Sequence, residues 1–287
     1  MIDSTRLSSF VAFAEELNFT RAAARLHISQ PALHVQIQKL AEEVGAPLYR
    51  RVGRALELTG QGREVLAFGR ELHQRTETFR ASLAGHSAER VVLAAGEGAL
   101  LYVLGPAVRK MARTSGVLLR VLTRDRDGTL AALASAEANL GVTALEVVPE
   151  SLQATLLRRA GMLVVVPRTH RLARKRRVAL ADLARERLIV PPANRPHRQF
   201  IARALDAAGV PWEVAVEAGG WELMLNYAAA GVGLAVVNDI CRIPAGAVAR
   251  PLSGMPALSY YLLHSKRAPL MPGAAELKRL IGEAFAT

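Results

Sequence analysis

The sequence predicts an α/β protein headed by a winged helix-turn-helix. Three observations carry that prediction: two short helices about a tight turn at 20–44, one long helix over 59–83, and alternating strands and helices from Val91 onward. With 287 residues the chain is long enough for two domains, the larger with a substantial core.

Leu7, Phe10, Val11, Ala14 and Leu17 recur at helical spacing, and Asp3 or Ser4 is placed to cap this first helix. Residues 20–44 then encode two helices joined by a three-residue turn. Thr20 is read as the cap of one and Ser29 of the next, since a short side-chain oxygen accepts from orphan backbone N–H groups. Pro31 falls in a first turn, where its missing N–H costs nothing. Ala22, Ala23 and Leu26 form one inner face; Ala32, Leu33, Ile37 and Leu40 form the other. Between them Gln30, His34, Gln38 and Lys39 point outward, and such side chains reach base edges. The pattern is a helix-turn-helix, which points to duplex DNA as a partner.

Gly53 then breaks the chain, and Leu56 and Leu58 alternate around Glu57, so a two-stranded wing is expected. Arg50, Arg51 and Arg54 cluster there and suit phosphates or the minor groove, with a solvated basic turn as the alternative. Over 59–83, Val65, Gly69, Leu72, Thr76, Phe79 and Leu83 step alternately by four and three, the seam of a coiled coil. Such a helix spans roughly 37 Å at about 1.5 Å per residue. It cannot bury its stripe on a small head alone, so a second copy of the chain is the natural partner. Packing on its own C-terminal domain is the alternative. Gly85-His86-Ser87 marks the next boundary. The expected division is therefore a head at 1–58, a linker and dimerisation helix at 59–87, and a larger domain at 88–287.

In that domain the strand candidates are 91–95, 117–122, 140–144, 162–166, 187–190, 214–217, 234–237 and 260–264. Helical segments fall at 99–114, 127–136, 196–208, 220–230 and 273–285. This alternation argues largely parallel sheets covered by helices, arranged as two lobes with a cleft. Extended runs near 144–165 and 237–260 read as crossovers, giving a first lobe of about 88–160 and 261–287 and a second of about 161–260.

Composition narrows the function classes. Hydrophobic residues make up 51% and charged residues 22%, ordinary for a globular protein. No apolar run reaches the roughly 18 residues of a membrane span, and Met1-Ile2-Asp3-Ser4 lacks a secretory start. Cys241 is the single cysteine, so neither an internal disulfide nor a cysteine metal cluster is possible. The expected compartment is the cytoplasm, with no membrane partner. The net charge is +12, yet residues 1–88 carry only +2 and the rest +10, so overall basicity does not locate the DNA site. The dense arginine run at 168–177 reads as a solvated loop and helix start, with a second nucleic-acid site as the alternative. No phosphate-cradling loop, paired-histidine metal helix or nucleophile elbow appears, so neither an enzyme nor a cofactor is expected.

The chain resembles the LysR-type transcriptional regulators along essentially its full length. The resemblance rests on residues 19–33 (Phe-Thr-Arg-Ala-Ala-Ala-Arg-Leu-His-Ile-Ser-Gln-Pro-Ala-Leu), on 45–51 and on 58–62. Looser echoes follow at 170–173, 182–183 and 228–235. It implies a C-terminal regulatory domain like a periplasmic binding protein with two subdomains. It also implies a homo-oligomer, often a tetramer, and a small-molecule effector in the cleft that alters promoter binding. Base or groove contacts would come from Gln30, Pro31, His34, Gln38 and Lys39; phosphate or minor-groove contacts from Thr20, Arg21, Ser29, Arg51 and Arg54. His34 stands where the family most often has serine, and Ala41 where it usually has glutamate.

Mapped onto this chain, the effector site involves Glu97, Gly98, Ala99, Leu100, Thr143, Asn194 to Arg198, and Gly219-Gly220-Trp221. Helix N-termini and arginine favour an anionic group. Glu97 stands where a serine or threonine often serves, and Arg195, His197 and Arg198 are positioned to offset its charge. Trp221 is expected to stack on a ring, with packing inside its own subdomain as the alternative. Two other readings remain: an effector-independent or architectural DNA-binding protein, and an enzyme with a DNA-binding head.

Overall fold

The computed structural model describes residues 2–83, 89–114, 116–267 and 269–286. In the head, α1 (Ser4–Glu16) is capped by Asp3, whose carboxylate accepts from the backbone N–H of Thr5 and Arg6. α2 (Phe19–Arg25) starts two residues earlier than a cap at Thr20 would place it. Asn18, not Thr20, caps it by accepting from Arg21 N at 3.0 Å. Ser29 caps α3 (Gln30–Val44), and Gly45 ends it at a φ of 76°. Phe10, Phe13, Ala22, Leu33, Ile37 and Leu40 fill the core between these three helices. Ala32 is exposed rather than inward, because Leu33, Ile37 and Leu40 alone occupy the buried stripe of α3.

The wing is the antiparallel pair β1 (Tyr49–Val52) and β2 (Ala55–Leu58). Thr59 then opens α4 (Gly60–Leu83): its hydroxyl donates to Pro47 O at 2.6 Å and accepts from Gly62 N at 2.9 Å. Gly62 has to be glycine, since a Cβ there would lie 1.8 Å from Leu48 O. The expected seam of α4 divides. Gly69 faces Leu7 and Val11 of α1 in the same chain, whereas Leu72 is 40% exposed, beside Phe68, a residue outside the expected seam that is 49% exposed. The Leu83 side chain and the boundary at 85–87 lie outside the described residues. α4 also reaches the larger domain: Gln74 donates to Arg90 O at 2.7 Å, and Arg70 bridges Glu15 of α1 and Ser135 O.

The first lobe holds a five-stranded sheet in the order β4-β3-β5-β13-β6. Its strands are β3 (Glu89–Ala95), β4 (Val117–Thr123), β5 (Leu140–Ala144), β6 (Leu152–Ala160) and β13 (Leu258–Ser265). The helices α5 (Glu97–Tyr102), α6 (Gly105–Met111) and α10 (Pro272–Ala286) cover one face and α7 (Arg126–Ala134) the other. Buried Glu89 accepts from Gly273 N and Ala274 N, tying the start of this lobe to the first turn of α10. The helix expected at 99–114 is two helices, because Gly105-Pro106 starts a new one.

The second lobe holds six strands in the order β10-β9-β11-β7-β12-β8. They are β7 (Met162–Pro167), β8 (Val178–Ala179), β9 (Arg187–Val190), β10 (Glu213–Glu217), β11 (Leu234–Asn238) and β12 (Ala247–Ser253). α8 (Pro196–Ala207) and α9 (Trp221–Ala229) pack on its two faces. Both sheets are mixed rather than largely parallel. The runs expected to be crossovers contain β6 and β12, whose pairings with β13 and β7 are antiparallel. The chain enters the second lobe at Gly161 and returns before Leu258, ahead of the expected 261, since β13 pairs with β6 from Leu258 onward.

Candidate nucleic-acid interface and interlobe cleft

On the reading head, Gln30, Pro31, His34, Gln38 and Lys39 are all exposed along α3. Gln30, His34 and Gln38 lie four residues apart, hence on one face. Two of these side chains are braced from behind. Thr20 donates its hydroxyl proton to Gln30 Oε1 at 3.2 Å. His34 Nε2 lies 3.3 Å from the Tyr49 hydroxyl and its ring 5.2 Å from that of Phe19. Burial pushes the Tyr49 phenol above its ordinary pKa, which keeps its proton in place.

The cations around α3 differ in freedom. Arg21 is drawn back onto Glu16, donating to its carbonyl at 3.0 Å and pairing with its carboxylate at 3.3 Å. Arg50 pairs across the wing with Glu57, and Arg51 donates to Gly53 O at 3.3 Å. Arg54, at the wing tip, is exposed.

The cleft lies at the carboxyl ends of the parallel strands, where such folds hold ligands. Glu97, Gly98 and Ala99 open α5 on one side, and His197 and Trp221 lie at the starts of α8 and α9 on the other. Across it the lobes touch. The Trp221 indole lies against Gly98, where a Cβ would come within 3.3 Å of Nε1, and the Glu97 carboxylate lies against Gly220. Tyr102 donates to Glu222 Oε1 at 3.2 Å, and Arg195 pairs with Asp125 at 3.2 Å. Thr143 is buried near the end of β5, and Leu100 packs on the first-lobe core.

His197 donates from Nε2 to Val236 O at 2.8 Å, and its ring lies 4.7 Å from that of Trp221 at a tilt of 51°. Burial holds its pKa below the ordinary histidine value, only partly offset by that hydrogen bond, so the ring is neutral. Arg198 does not reach Glu97. Its guanidinium stacks over Trp212 at 4.3 Å and feels Glu217, on the β10 side of α8, with Nη1 buried and without a hydrogen bond. The expected compensation of Glu97 by Arg195 and Arg198 is therefore absent, because Asp125 and Trp212 take those two groups. Cys241 is buried beside the hinge, and burial with nearby Glu222 and Asp239 pushes its thiol up to about 12, the opposite of a reactive thiolate.

The family model of the bacterial regulatory helix-turn-helix protein of the lysR family matches residues 4–63, and that of the LysR substrate binding domain matches residues 84–286. The chain belongs to the LysR family of transcriptional regulators. It is 27% identical over 288 residues to the RuBisCO operon transcriptional regulator of Allochromatium vinosum, covering 96% of this chain and 94% of that one. It is 34% identical to the uncharacterized regulator YnfL of Escherichia coli over 197 residues, spanning 64% of each chain. Among solved structures, a full-length OxyR variant from Pseudomonas aeruginosa superposes with a TM-score of 0.71 at 20% identity, covering 99% and 98% of the two chains. CbnR in complex with its target DNA superposes at 0.57 with 21% identity, covering 98% and 99%.

As a LysR-type regulator, the chain carries transcription regulation and DNA binding in its head and a substrate-binding domain behind it. Among the described residues no helix is long and apolar enough to cross a membrane, and no histidine, cysteine and carboxylate group is arranged for a metal. Sequence reasoning misses three contributors. Asn18 is legible, since asparagine directly before a helix is a strong cap. Tyr49 behind His34, and Tyr102 across the cleft, depend on long-range packing and leave no local signal.

Proposed function

We propose that this protein is a sequence-specific, promoter-binding regulator whose DNA affinity is set by a small organic effector held between its lobes. The single observation that carries this reading is the outward face of α3, where Gln30, His34 and Gln38 project from a helix anchored by the head core. In this reading Gln30, His34 and Gln38 contact base edges, with Pro31 and Lys39 in the groove beside them. Ser29 and the N-terminus of α3 receive a phosphate, and Thr20, Arg21, Arg51 and Arg54 meet the backbone or the minor groove. Two copies join through the exposed Phe68 and Leu72 face of α4, so the operator holds paired half-sites, and pairs of dimers form tetramers.

The effector enters by displacing contacts that the lobes now make with each other. Trp221 and Gly98 part to admit a ring, with Glu97, Ala99, Leu100, Thr143 and neutral His197 around it. An anionic group on the effector has one route in, by replacing Asp125 on Arg195; Arg198 takes no part. The protein binds rather than turns over this molecule and works in the cytoplasm. Footprinting on the promoter region beside its own gene, with and without candidate metabolites, tests the reading. A discrete protected site whose extent shifts with one metabolite is expected. Uniform protection that no compound changes would leave an architectural DNA-binding protein.

A further inference from the structure

The charge excess outside the head is concentrated in one place. Residues 168–187 carry eight Lys and Arg against Asp182 and Glu186, a net of +6 of the +10 found beyond residue 88. The fold brings the two halves of this segment together. Glu186 accepts from Arg171 at 2.8 Å and lies 3.4 Å from His170, while Arg171 also donates to Asp182 O and Asp182 holds Lys175. Both carboxylates are thereby occupied. Arg168, Arg174, Arg176, Arg177, Arg185 and Arg187 are left exposed.

That surface is built rather than loose. The backbone of the run is pinned from β12: the Arg250 guanidinium donates twice to Ala173 O, at 2.6 and 3.1 Å, and Ser253 donates to Val178 O. Leu172 and Ala173 are buried beneath it. Its position is also defined. β7 leaves the hinge at Gly161 and ends at Pro167, and β9 starts at Arg187, so Arg168 and Arg187 sit at the end of the second lobe opposite the cleft, while Arg176 and Arg177 run back along the outer edge of the sheet into β8, which pairs with β12. They are not part of the effector site.

Guanidinium groups on a fixed backbone fit one ligand chemistry well: phosphodiester oxygens, which accept the planar fork in pairs. We propose that the arginine-lined outer edge and far end of the second lobe form a second, sequence-independent DNA contact that grips the phosphate backbone outside the segment read by α3. The inference rests on the DNA-binding reading above. The heads supply the reason for choosing DNA over other polyanions, because they tether a duplex to the same molecule and so raise its effective concentration. Each phosphate neutralised releases counterions, so the contact is felt in the salt dependence more than in base preference.

The test uses the full chain, fluorescence anisotropy and two mixed-sequence duplexes, one just covering a pair of heads and one several times longer. A variant with Arg174, Arg176 and Arg177 all changed to glutamine is compared with Arg51→Ala. The glutamine variant should match the native protein on the short duplex and bind the long one at least tenfold more weakly. Its log K against log salt slope on the long duplex should fall by about 0.9 for each phosphate it no longer neutralises, so by about 2 to 3. Lysine at the same three positions should restore most of the slope, and unchanged melting of all variants excludes misfolding. Native affinity and slope on the long duplex, or an equal weakening on both duplexes, would overturn the second contact. Binding of neither duplex by the native protein would instead sink the DNA reading itself, and an unaffected Arg51→Ala protein would sink only the assigned head geometry.

Discussion

The reading head and the interlobe cleft hold similar side chains in opposite conditions. On the head, Gln30, His34, Gln38 and Lys39 stand exposed, and the internal bonds of Gln30 and His34 brace those two without covering them. In the cleft, Trp221 lies on Gly98, Tyr102 is bound to Glu222, and Arg195 to Asp125. A surface of the first kind receives its partner with little rearrangement. A cleft of the second kind must exchange internal contacts for external ones, so whatever binds there has to work against the existing lobe arrangement. Arg70 touches both Glu15 of α1 and Ser135 at the end of α7, and so ties the head to the first lobe.

The comparison breaks most severely if the head is unseated from α4. Gly62→Ala places a methyl group 1.8 Å from Leu48 O, within the backbone that leads into the wing. Relief requires moving α4 or that backbone, and overpacking of this kind costs about 3 kcal/mol. Calorimetry should show a transition assigned to the head falling by about ten degrees or more, on the scale of ~4–8 °C per kcal/mol for a small domain. The lobes should keep their own transition. A head that melts at its native temperature would mean that Gly62 is not tightly packed.

Substitutions on α3 and the wing sharpen the other side without unfolding anything. His34→Ala should relax base preference at one operator position by about 1–3 kcal/mol, the discrimination carried by a good side-chain contact to a base. Arg54→Ala should weaken all duplexes alike and flatten the salt dependence by about one unit. Selection from a randomised duplex pool measures the first, and a salt titration the second. An unchanged preference for His34→Ala would show that the imidazole serves Tyr49 alone.

The head is largely legible in the sequence because its determinants are local. A serine cap, a proline in the first turn and helical spacing of Leu33, Ile37 and Leu40 act over a few residues, and the structure follows them. The errors there are small shifts, such as Asn18 taking the cap expected at Thr20. In the larger domain β6 and β12 look like crossovers because their exposure barely alternates and their partners lie far away in sequence. The fate of the cleft arginines is hidden for the same reason. Nothing adjacent to Arg198 announces Trp212, and nothing near Arg195 announces Asp125, 70 residues earlier.

A smaller perturbation asks whether the cleft is held shut by its own contacts. Tyr102→Phe removes the hydroxyl that reaches Glu222, and Glu222 is exposed, so water can satisfy it. The closed arrangement should be destabilised by about 1 kcal/mol, close to a fivefold change in its population. Trp221 reports directly, since its indole leaves Gly98 as the lobes part, and only one other tryptophan, Trp212, contributes to the emission. A red shift in Tyr102→Phe relative to the native protein would confirm the contact as a latch. Identical emission in both proteins would make the hydrogen bond incidental.

The finest test is a pH slope that belongs to the cleft. Burial holds the His197 pKa below 6.5, the value the unfolded chain would show. As pH falls through 6.5 the unfolded state takes up a proton that the folded state refuses. The stability contribution present above 6.5 is therefore lost on acidification, at no more than about 1.4 kcal/mol per pH unit. His264 is shifted in the same direction, by burial first and by neighbouring Lys278, so it supplies a parallel slope. His197→Gln keeps a donor for Val236 O but does not titrate. Denaturant unfolding across the histidine range, from about pH 7.5 to 5.5, should give this variant a shallower loss of stability than the native protein, with the His264 share remaining. Parallel curves would mean that His197 is protonated in the folded protein, and that the cleft is already open enough for water to reach the ring.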